Sequence, residues 1–336
     1  MPSHARSTAP VSVIVPAYNC APYIGAALDS ALSQEPAPLE IIVADDGSTD
    51  DTASVVRGFG LPVRYHRLPG TRNGAAAARN AAMRLSRGEF LAFLDADDVW
   101  LPRKLDAQLD VLRTYTDISL CATNFGLWRR RADGTWPAPE MALEPVFGSN
   151  PIPPTAIDAS RTGWLYGQLL METIVWTSTV VMRRNLYERL GGFREDLRLG
   201  QDYEYWLRAS RVTKFVTLAR PFALYRKHPE SATAAWAPVN YELLALRSAL
   251  ARWGRQSPDG SYVSRTDIRR RIGTLHFNMA YNQLWSSSPH RAFRPACKAA
   301  FHRPTFSRTW AYIALSILRP LAVAAGYSKP NTKKTG

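Results

Sequence analysis

Val11–Val15 (VSVIV) is an apolar, β-branched run, the pattern of a strand buried on both faces of a parallel sheet. Ile24, Leu28 and Leu32 then recur at helical spacing. Leu39–Ala44 predicts a second strand, and it runs into a polar burst, Asp45-Asp46-Gly47-Ser48-Thr49-Asp50. Thr52–Arg57 predicts a short helix, Val63–Arg67 a third strand, and Ala75–Leu85 an Ala-rich helix. Phe90–Leu94 predicts a fourth strand, ending in Asp95, Ala96, Asp97 and Asp98. Leu105, Leu109 and Leu112 mark a further helix, and Ile118–Thr123 a further strand. This alternation predicts an α/β fold: a doubly wound, mostly parallel, Rossmann-like sheet. Ligands gather at the carboxyl ends of such strands. Strands one, two and four end in PAYN, DDGSTD and DADD, so one polar site is expected at one edge of the sheet.

The pattern then changes. Residues 137–154 hold Pro137, Pro139, Pro145, Pro151, Pro153 and Pro154, which predicts a long loop. Thr173–Met182 predicts a strand, and Gly191-Gly192-Phe193 a break. Asp202–Ser210 predicts a helix, and Phe215–Leu218 and Phe222–Tyr225 two short strands. From about residue 236 the periodicity is helical, over Leu243–Trp253, Asp267–Trp285 and Ala292–His302. Residues 309–325 are apolar but interrupted by Arg319-Pro320, short of the ~20 apolar residues a spanning helix needs. A helix lying in a membrane interface, or one packed on the protein, is expected. The organisation predicted is a disordered stretch at 1–9, a sheet domain at 10–235 and a basic helical extension at 236–336.

With 336 residues, the chain has room for one large domain and an appendage, or for two domains. Apolar residues at 46% and charged residues at 21% exclude wholesale disorder. The net charge of +14 is unevenly spread: residues 1–240 carry 26 basic and 25 acidic side chains, residues 241–336 carry 16 and 3. A solvated basic face and a surface for anionic lipid headgroups are both open readings of 241–336. Nucleic acid is not expected as a partner. Cys20, Cys121 and Cys297 lie too far apart for a disulfide framework or a Cys-based zinc site, and free thiols are expected. The segment MPSHARSTAP lacks the apolar core of a signal peptide, so the sheet domain is expected in the cytoplasm.

Three carboxylates within four positions, Asp95, Asp97 and Asp98, repel one another unless a cation or hydrogen-bond donors balance them. Mg²⁺ or Mn²⁺ bridging a diphosphate is one natural partner, and a solvated turn capping a helix is the other reading. Asp45-Asp46 could accept from a base N–H or ribose hydroxyls, or merely close an Asx turn. Asn73–Asn80 opens a helix with small side chains, which would let a ligand approach, and Arg79 could touch a nucleotide. No G-x-G-x-x-G follows strand one, and there is no G-x-x-x-x-G-K-[ST], which excludes a P-loop enzyme and argues against a dinucleotide cofactor.

Taken together, VSVIVPAYN, IIVADDGSTDDT, NGAAAARN, FLAFLDADDVW, GGFRED and GQDYEYWLR, in this order and spacing, resemble a family 2 glycosyltransferase with the GT-A fold, of the type that builds bacterial cell-surface polysaccharide or lipopolysaccharide. The resemblance covers roughly residues 10–230. It implies that Pro16, Ala17 and Tyr18 surround the nucleotide base, that Asp45 and Asp46 hold base and ribose, and that Arg79 touches the nucleotide. It implies that Asp95 and Asp97 form the Asp-x-Asp motif, the first on the sugar-nucleotide and the second on Mg²⁺ or Mn²⁺; His228 matches a position that in some members is a further metal ligand or a diphosphate contact, and a surface-loop histidine is the other reading. Asp202 matches the catalytic base, although the acid that usually precedes it is replaced by Gln201. One base and no candidate nucleophile predict direct displacement with inversion. The implied partners are a nucleotide-diphosphate sugar, a UDP-sugar first, and a glycan or lipid-linked acceptor at the cytoplasmic membrane face. A sugar nucleotidyltransferase and a non-catalytic sugar-nucleotide or glycan binder are the competing readings on the same fold. Trp164, Tyr166, Trp176, Tyr203, Tyr205 and Trp206 are candidates either for stacking on sugar rings or for core packing.

Overall fold

The computed structural model describes residues 8–70, 72–142, 152–228, 231, 239–285 and 289–324. The chain divides into two compact units, Met1–Ser231 with Gln256–Ser261, and Ala232–Arg255 with Tyr262–Gly336.

The first unit is built on one sheet, which among the described residues has eight strands. They are β1 (Thr8–Ala17), β2 (Ala37–Asp45), β3 (Val63–Arg67), β4 (Phe90–Phe93), β5 (Val99–Trp100), β6 (Leu120–Arg129), β7 (Val181–Arg183) and β8 (Phe215–Lys227). Their spatial order is β3-β2-β1-β4-β7-β6-β8-β5. The neighbours from β3 to β4 are parallel, as are β6 and β8. Strand β7 is antiparallel to both β4 and β6, and β5 to β8. Helices α1 (Ala21–Leu32), α2 (Thr52–Gly58), α3 (Ala75–Leu85) and α4 (Lys104–Thr114) alternate with the strands. Val11, Val13, Ile14 and Val15 of β1 are all 0% exposed, as expected of a strand covered on both faces. Burying each such side chain is worth about 1.5–3 kcal/mol, so β1 anchors the core.

This topology decides where chemistry can sit. The chain moves from β1 outward to β2 and β3, then returns to lay β4 on the other side of β1. That reversal opens a crevice at the carboxyl ends of β1 and β4. The register brings the ends level: Ala17 lies opposite Asp45, and Ile14 opposite Phe93. PAYN, DDGSTD and DADD therefore emerge at one edge.

Several boundaries differ from the sequence expectation. Thr8 and Ala9 are already in β1, paired with Ala37 and Pro38, so the first strand begins inside the stretch expected to be disordered; residues 1–7 lie outside the described residues. Of Thr173–Met182 only the end is strand. Thr177–Thr179 forms a 3₁₀ turn, in which the Thr179 hydroxyl donates locally to the Trp176 carbonyl at 2.6 Å while those of Thr177 and Ser178 are drawn to Asp202 and Asp98. The two short strands expected after Phe215 are one strand, with a shift of register at Asn124, which pairs with Pro221; proline is tolerated at such irregularities. Of the proline-rich loop, 143–151 lie outside the described residues. Helices α5 (Tyr166–Met171), α6 (Arg184–Leu190) and α7 (Gln201–Ala209) complete the unit.

The second unit is helical: α8 (Tyr241–Trp253), α9 (Arg265–Leu284), α10 (Phe293–His302) and α11 (Ser307–Ala324). Asn240 caps α8 by accepting from the Leu243 N–H at 2.9 Å, and Ser264 caps α9 by accepting from Asp267 N–H at 3.0 Å. Small residues let the helices approach closely: Ala296 and Ala299 are 0% exposed, and a Cβ on Gly273 would meet Arg303 Cγ at 2.6 Å. No described helix is long and apolar enough to cross a membrane.

Candidate functional site

At the end of β1, Pro16 and Ala17 are buried while Tyr18 is 41% exposed, with the Arg72 guanidinium 5.7 Å from its ring centre. Beside them, Asp45 is fully buried. It accepts from Ser48 N–H (2.8 Å), Ser48 Oγ (2.7 Å) and the Tyr65 hydroxyl (2.5 Å). Asp46 accepts from Asn73 N–H at 2.8 Å, the Asn73 amide at 3.0 Å and Gly74 N–H at 2.7 Å. Both carboxylates thus shape the rim from within, and Tyr18 supplies the open aromatic face above it.

The loop after β4 carries the acidic triplet. Asp98 is 1% exposed and is held by Ser178 Oγ at 2.5 Å and by Arg226 N–H at 3.1 Å. Burial, then repulsion from Asp97 and Asp95, raises its carboxyl well above the usual range. Asp97 is raised by burial and by Asp95, against the pull of His228, whose Nε2 lies 2.9 Å from Asp97 Oδ2. His228 packs its ring on Tyr23 at 4.3 Å. Asp97 and His228 are thus a carboxylate and an imidazole side by side, in a cluster whose negative charges are incompletely balanced. That donor set fits a divalent cation whose remaining ligands come from a diphosphate. Among the described residues no three acidic, His or Cys side chains converge into a ready-made metal cage.

Arg79 crosses this loop from α3. It is 4% exposed, and its Nη2 donates to Asp95 Oδ1 at 2.5 Å, while Nε and Nη1 have no hydrogen-bond partner among the described residues. Burial works against its charge, but Asp95, then Asp202 and Asp97, hold the guanidinium above its usual range. Its neighbour Asn80 fixes the GGFRED segment: it accepts from Phe193 N–H and donates to the Phe193 carbonyl, each at 2.8 Å. A Cβ on Gly192 would meet Asn80 Oδ1 at 2.4 Å, which is why glycine stands there.

Asp202 lies in the first turn of α7, half-buried between the buried Gln201 and Tyr203. Its Oδ2 accepts from Thr177 Oγ1 at 3.1 Å and its Oδ1 from Tyr203 N–H at 2.8 Å. The next residue, Ser178, accepts from Asp95 N–H at 3.1 Å while donating to Asp98. Two consecutive hydroxyls therefore tie Asp202 to the acidic loop, some hundred positions away in sequence. Gln201 is 6% exposed with Oε1 unpartnered among the described residues; a neutral amide there avoids a second buried charge beside Asp202.

The structure thus gathers Arg79, Asp95, Asp97, Asp202 and His228, with Asp45 and Asp46 behind the rim. Sequence reasoning missed Thr177, Ser178 and Arg226. The polar triplet inside TIVWTSTVVM was the available signal for the first two. Arg226 is 3% exposed, its Nε donates to the Asp97 carbonyl at 2.7 Å, and its guanidinium lies 4.1 Å from the Trp128 ring centre and 4.7 Å from that of Trp136. Burial presses it below its usual range despite Asp97 and Asp98. Of the six aromatics offered for stacking, Tyr166, Tyr203, Tyr205 and Trp206 are core residues at 0–2% exposure, while Trp164 and Trp176 keep some open surface.

The family model for glycosyl transferase family 2 matches residues 12–148. The chain is 41% identical over 229 residues to the Escherichia coli protein named UDP-Glc:alpha-D-GlcNAc-diphosphoundecaprenol beta-1,3-glucosyltransferase WfaP, covering 67% of this chain and 80% of that one. Among solved structures it is similar to Staphylococcus aureus TarS 1–349 in complex with UDP, with a TM-score of 0.57 and 18% identity over 94% of this chain and 86% of that one. It is also similar to the mannosyltransferase PcManGT of Pyrobaculum calidifontis in complex with GDP-Man and Mn²⁺, with a TM-score of 0.53 and 20% identity over 94% and 90%. These likenesses establish the GT-A type of α/β fold.

Proposed function

The chain belongs to glycosyl transferase family 2, and from that premise we propose that it transfers a sugar from a nucleotide-diphosphate sugar to an acceptor hydroxyl, with inversion at the anomeric carbon. The observation that supports this reading is the Thr177-Ser178 bridge, whose consecutive hydroxyls bond to Asp202 and to Asp98 of the acidic loop.

The base of the donor lies against Tyr18, on the rim that Pro16, Ala17, Asp45 and Asp46 shape. Arg79 and Asp95 meet the sugar-nucleotide; two Arg79 nitrogens have no hydrogen-bond partner among the described residues. Asp97 and His228 would hold Mg²⁺ or Mn²⁺, which supplies charge neutralisation for the departing diphosphate. Asp202 takes the proton of the attacking hydroxyl, with Thr177 fixing its orientation. A single base, with no nucleophile positioned beside it among the described residues, gives direct displacement, hence inversion. A UDP-sugar as donor and a lipid-linked acceptor are supported by the name of the E. coli relative, and Mn²⁺ by the archaeal neighbour. On this reading the protein builds cell-surface polysaccharide or glycolipid, from the cytoplasmic face of the membrane.

The test is UDP release from UDP-sugars with Mn²⁺, followed by NMR of the product. Asp97→Ala is expected to lower release about 10²–10⁴-fold, and the product to carry the inverted anomer. Unchanged release, or retention of configuration, contradicts the reading.

A further inference from the structure

The last described helix of the second unit has its polarity reversed. Among the side chains of α11 that are described, the most deeply buried are hydroxyls, Thr309 at 0% and Ser316 at 2% exposure. Seven residues apart, they share one helix face. Tyr312 stands beside them, its ring 5.0 Å from Phe277 and 5.9 Å from Tyr281 of α9. The opposite face is apolar and bare: Trp310 is 54% exposed, Leu315 40%, Ile317 55% and Leu318 58%. A helix on the surface of a protein in water has the opposite arrangement.

Neighbouring helices extend this face. Phe301, near the end of α10, is 71% exposed. With Trp310, Ala300, Pro304 and Ile313 it lines a groove of about 470 Å³. Arg269 of α9 also lines that groove, donating to the Phe301 carbonyl at 2.8 Å with its guanidinium 5.3 Å from the ring centre.

Charge decides between occupants. Not one Asp or Glu follows Asp267 in the sequence, while Arg269, Arg270, Arg271, Arg291, Arg294, Lys298, Arg303 and Arg308 do. A second copy of the chain would bring this positive field against its like. An anionic lipid surface neutralises it, and the boundary between headgroups and acyl chains accommodates tryptophan and exposed aliphatic side chains. Since no described helix can span a bilayer, such contact lies in the interface.

We propose that the outward face of α11, with Phe301 and Arg269 beside it, docks the protein onto an anionic lipid surface, the helix lying along the headgroup plane. This deepens, and rests on, the membrane-facing location in the proposed function. The test is flotation of the full chain with vesicles of seven parts phosphatidylcholine to three parts phosphatidylglycerol, beside UDP release onto a water-soluble acceptor. The wild type is expected to float with these vesicles and to partition roughly tenfold less onto phosphatidylcholine alone. Ile317→Glu with Leu318→Glu is expected to lose at least tenfold in partition, with an unchanged thermal midpoint and unchanged UDP release. If that variant unfolds, Arg269→Gln with Arg308→Gln is read instead and is expected to lose a similar factor. A wild type that does not float overturns docking, as do variants that float like it. So does a stable dimer in free solution that the paired glutamates dissolve without any vesicle binding. Flotation without transfer to any acceptor leaves docking standing and removes the reaction reading.

Discussion

The two units treat buried polarity in opposite ways. In the first, the buried acids have partners: Asp45 has Ser48 and Tyr65, Asp46 has Asn73 and Gly74, Asp98 has Ser178 and Arg226. Its polar atoms with no hydrogen-bond partner among the described residues include three guanidinium nitrogens, on Arg79 and Arg226, around one acidic loop. In the second, Leu246, Leu275 and Leu284 form an ordinary core, but an imidazole is buried with them and α11 turns hydroxyls inward while its large apolar side chains face outward. His276 is 5% exposed with neither ring nitrogen hydrogen-bonded among the described residues, and its ring stacks on His302 at 5.9 Å. The first pattern suits a site that must place charge accurately. The second suits a surface whose outer neighbour is not water.

The sharpest way to break the first half of this contrast is Arg226→Gln. It removes the donor that holds the Asp97 carbonyl, and a group with that supporting position is worth roughly 10–100-fold in cation affinity or activity. The expected result is a higher Mn²⁺ concentration at half-maximal UDP release, with Arg226→Lys recovering part of it. An unchanged Mn²⁺ dependence would mean that Arg226 only fills space between Trp128 and Trp136.

A smaller effect probes the second half. Burial, then the charges of Lys298, Arg247 and His302, lower His276 to about 4 from its ordinary 6.5. The unfolded chain therefore binds more protons between those values. The contribution of this group to stability is fully present above pH 6.5 and is lost as the pH drops towards 4. Thermal unfolding across this range measures it, and His276→Phe is expected to flatten the slope. His302, lowered in the same direction by burial and by Arg269 and Arg247, leaves a residual slope.

The contrast also explains what the sequence could show. The strands from Val11 to Leu94 were legible because a strand buried on both faces needs an unbroken apolar run, and the helices between them keep a regular period. The polar ends of β1, β2 and β4 converge because parallel strands in register must end together. Thr173–Met182 misled because β-branched Thr and Val suit a strand, and nothing local reveals that Thr177 and Ser178 will bond to distant carboxylates while Thr179 bonds within a turn. Arg226 was invisible for another reason: an arginine in YRKH reads as solvated unless one knows that β8 delivers it between two tryptophans. The tail was legible in charge and helical period. The inward turn of Thr309 and Ser316 was not, since an apolar stretch does not say which side it packs.

The account depends most on Asp202 sharing a site with the Asp95–Asp98 loop while acting on the acceptor rather than the donor. Comparing Asp202→Asn with the wild type, for both UDP-sugar affinity and transfer, tests this directly. The prediction is donor affinity within about threefold of the wild type and transfer reduced about 10²–10⁴-fold. Transfer at the wild-type rate by Asp202→Asn would contradict it.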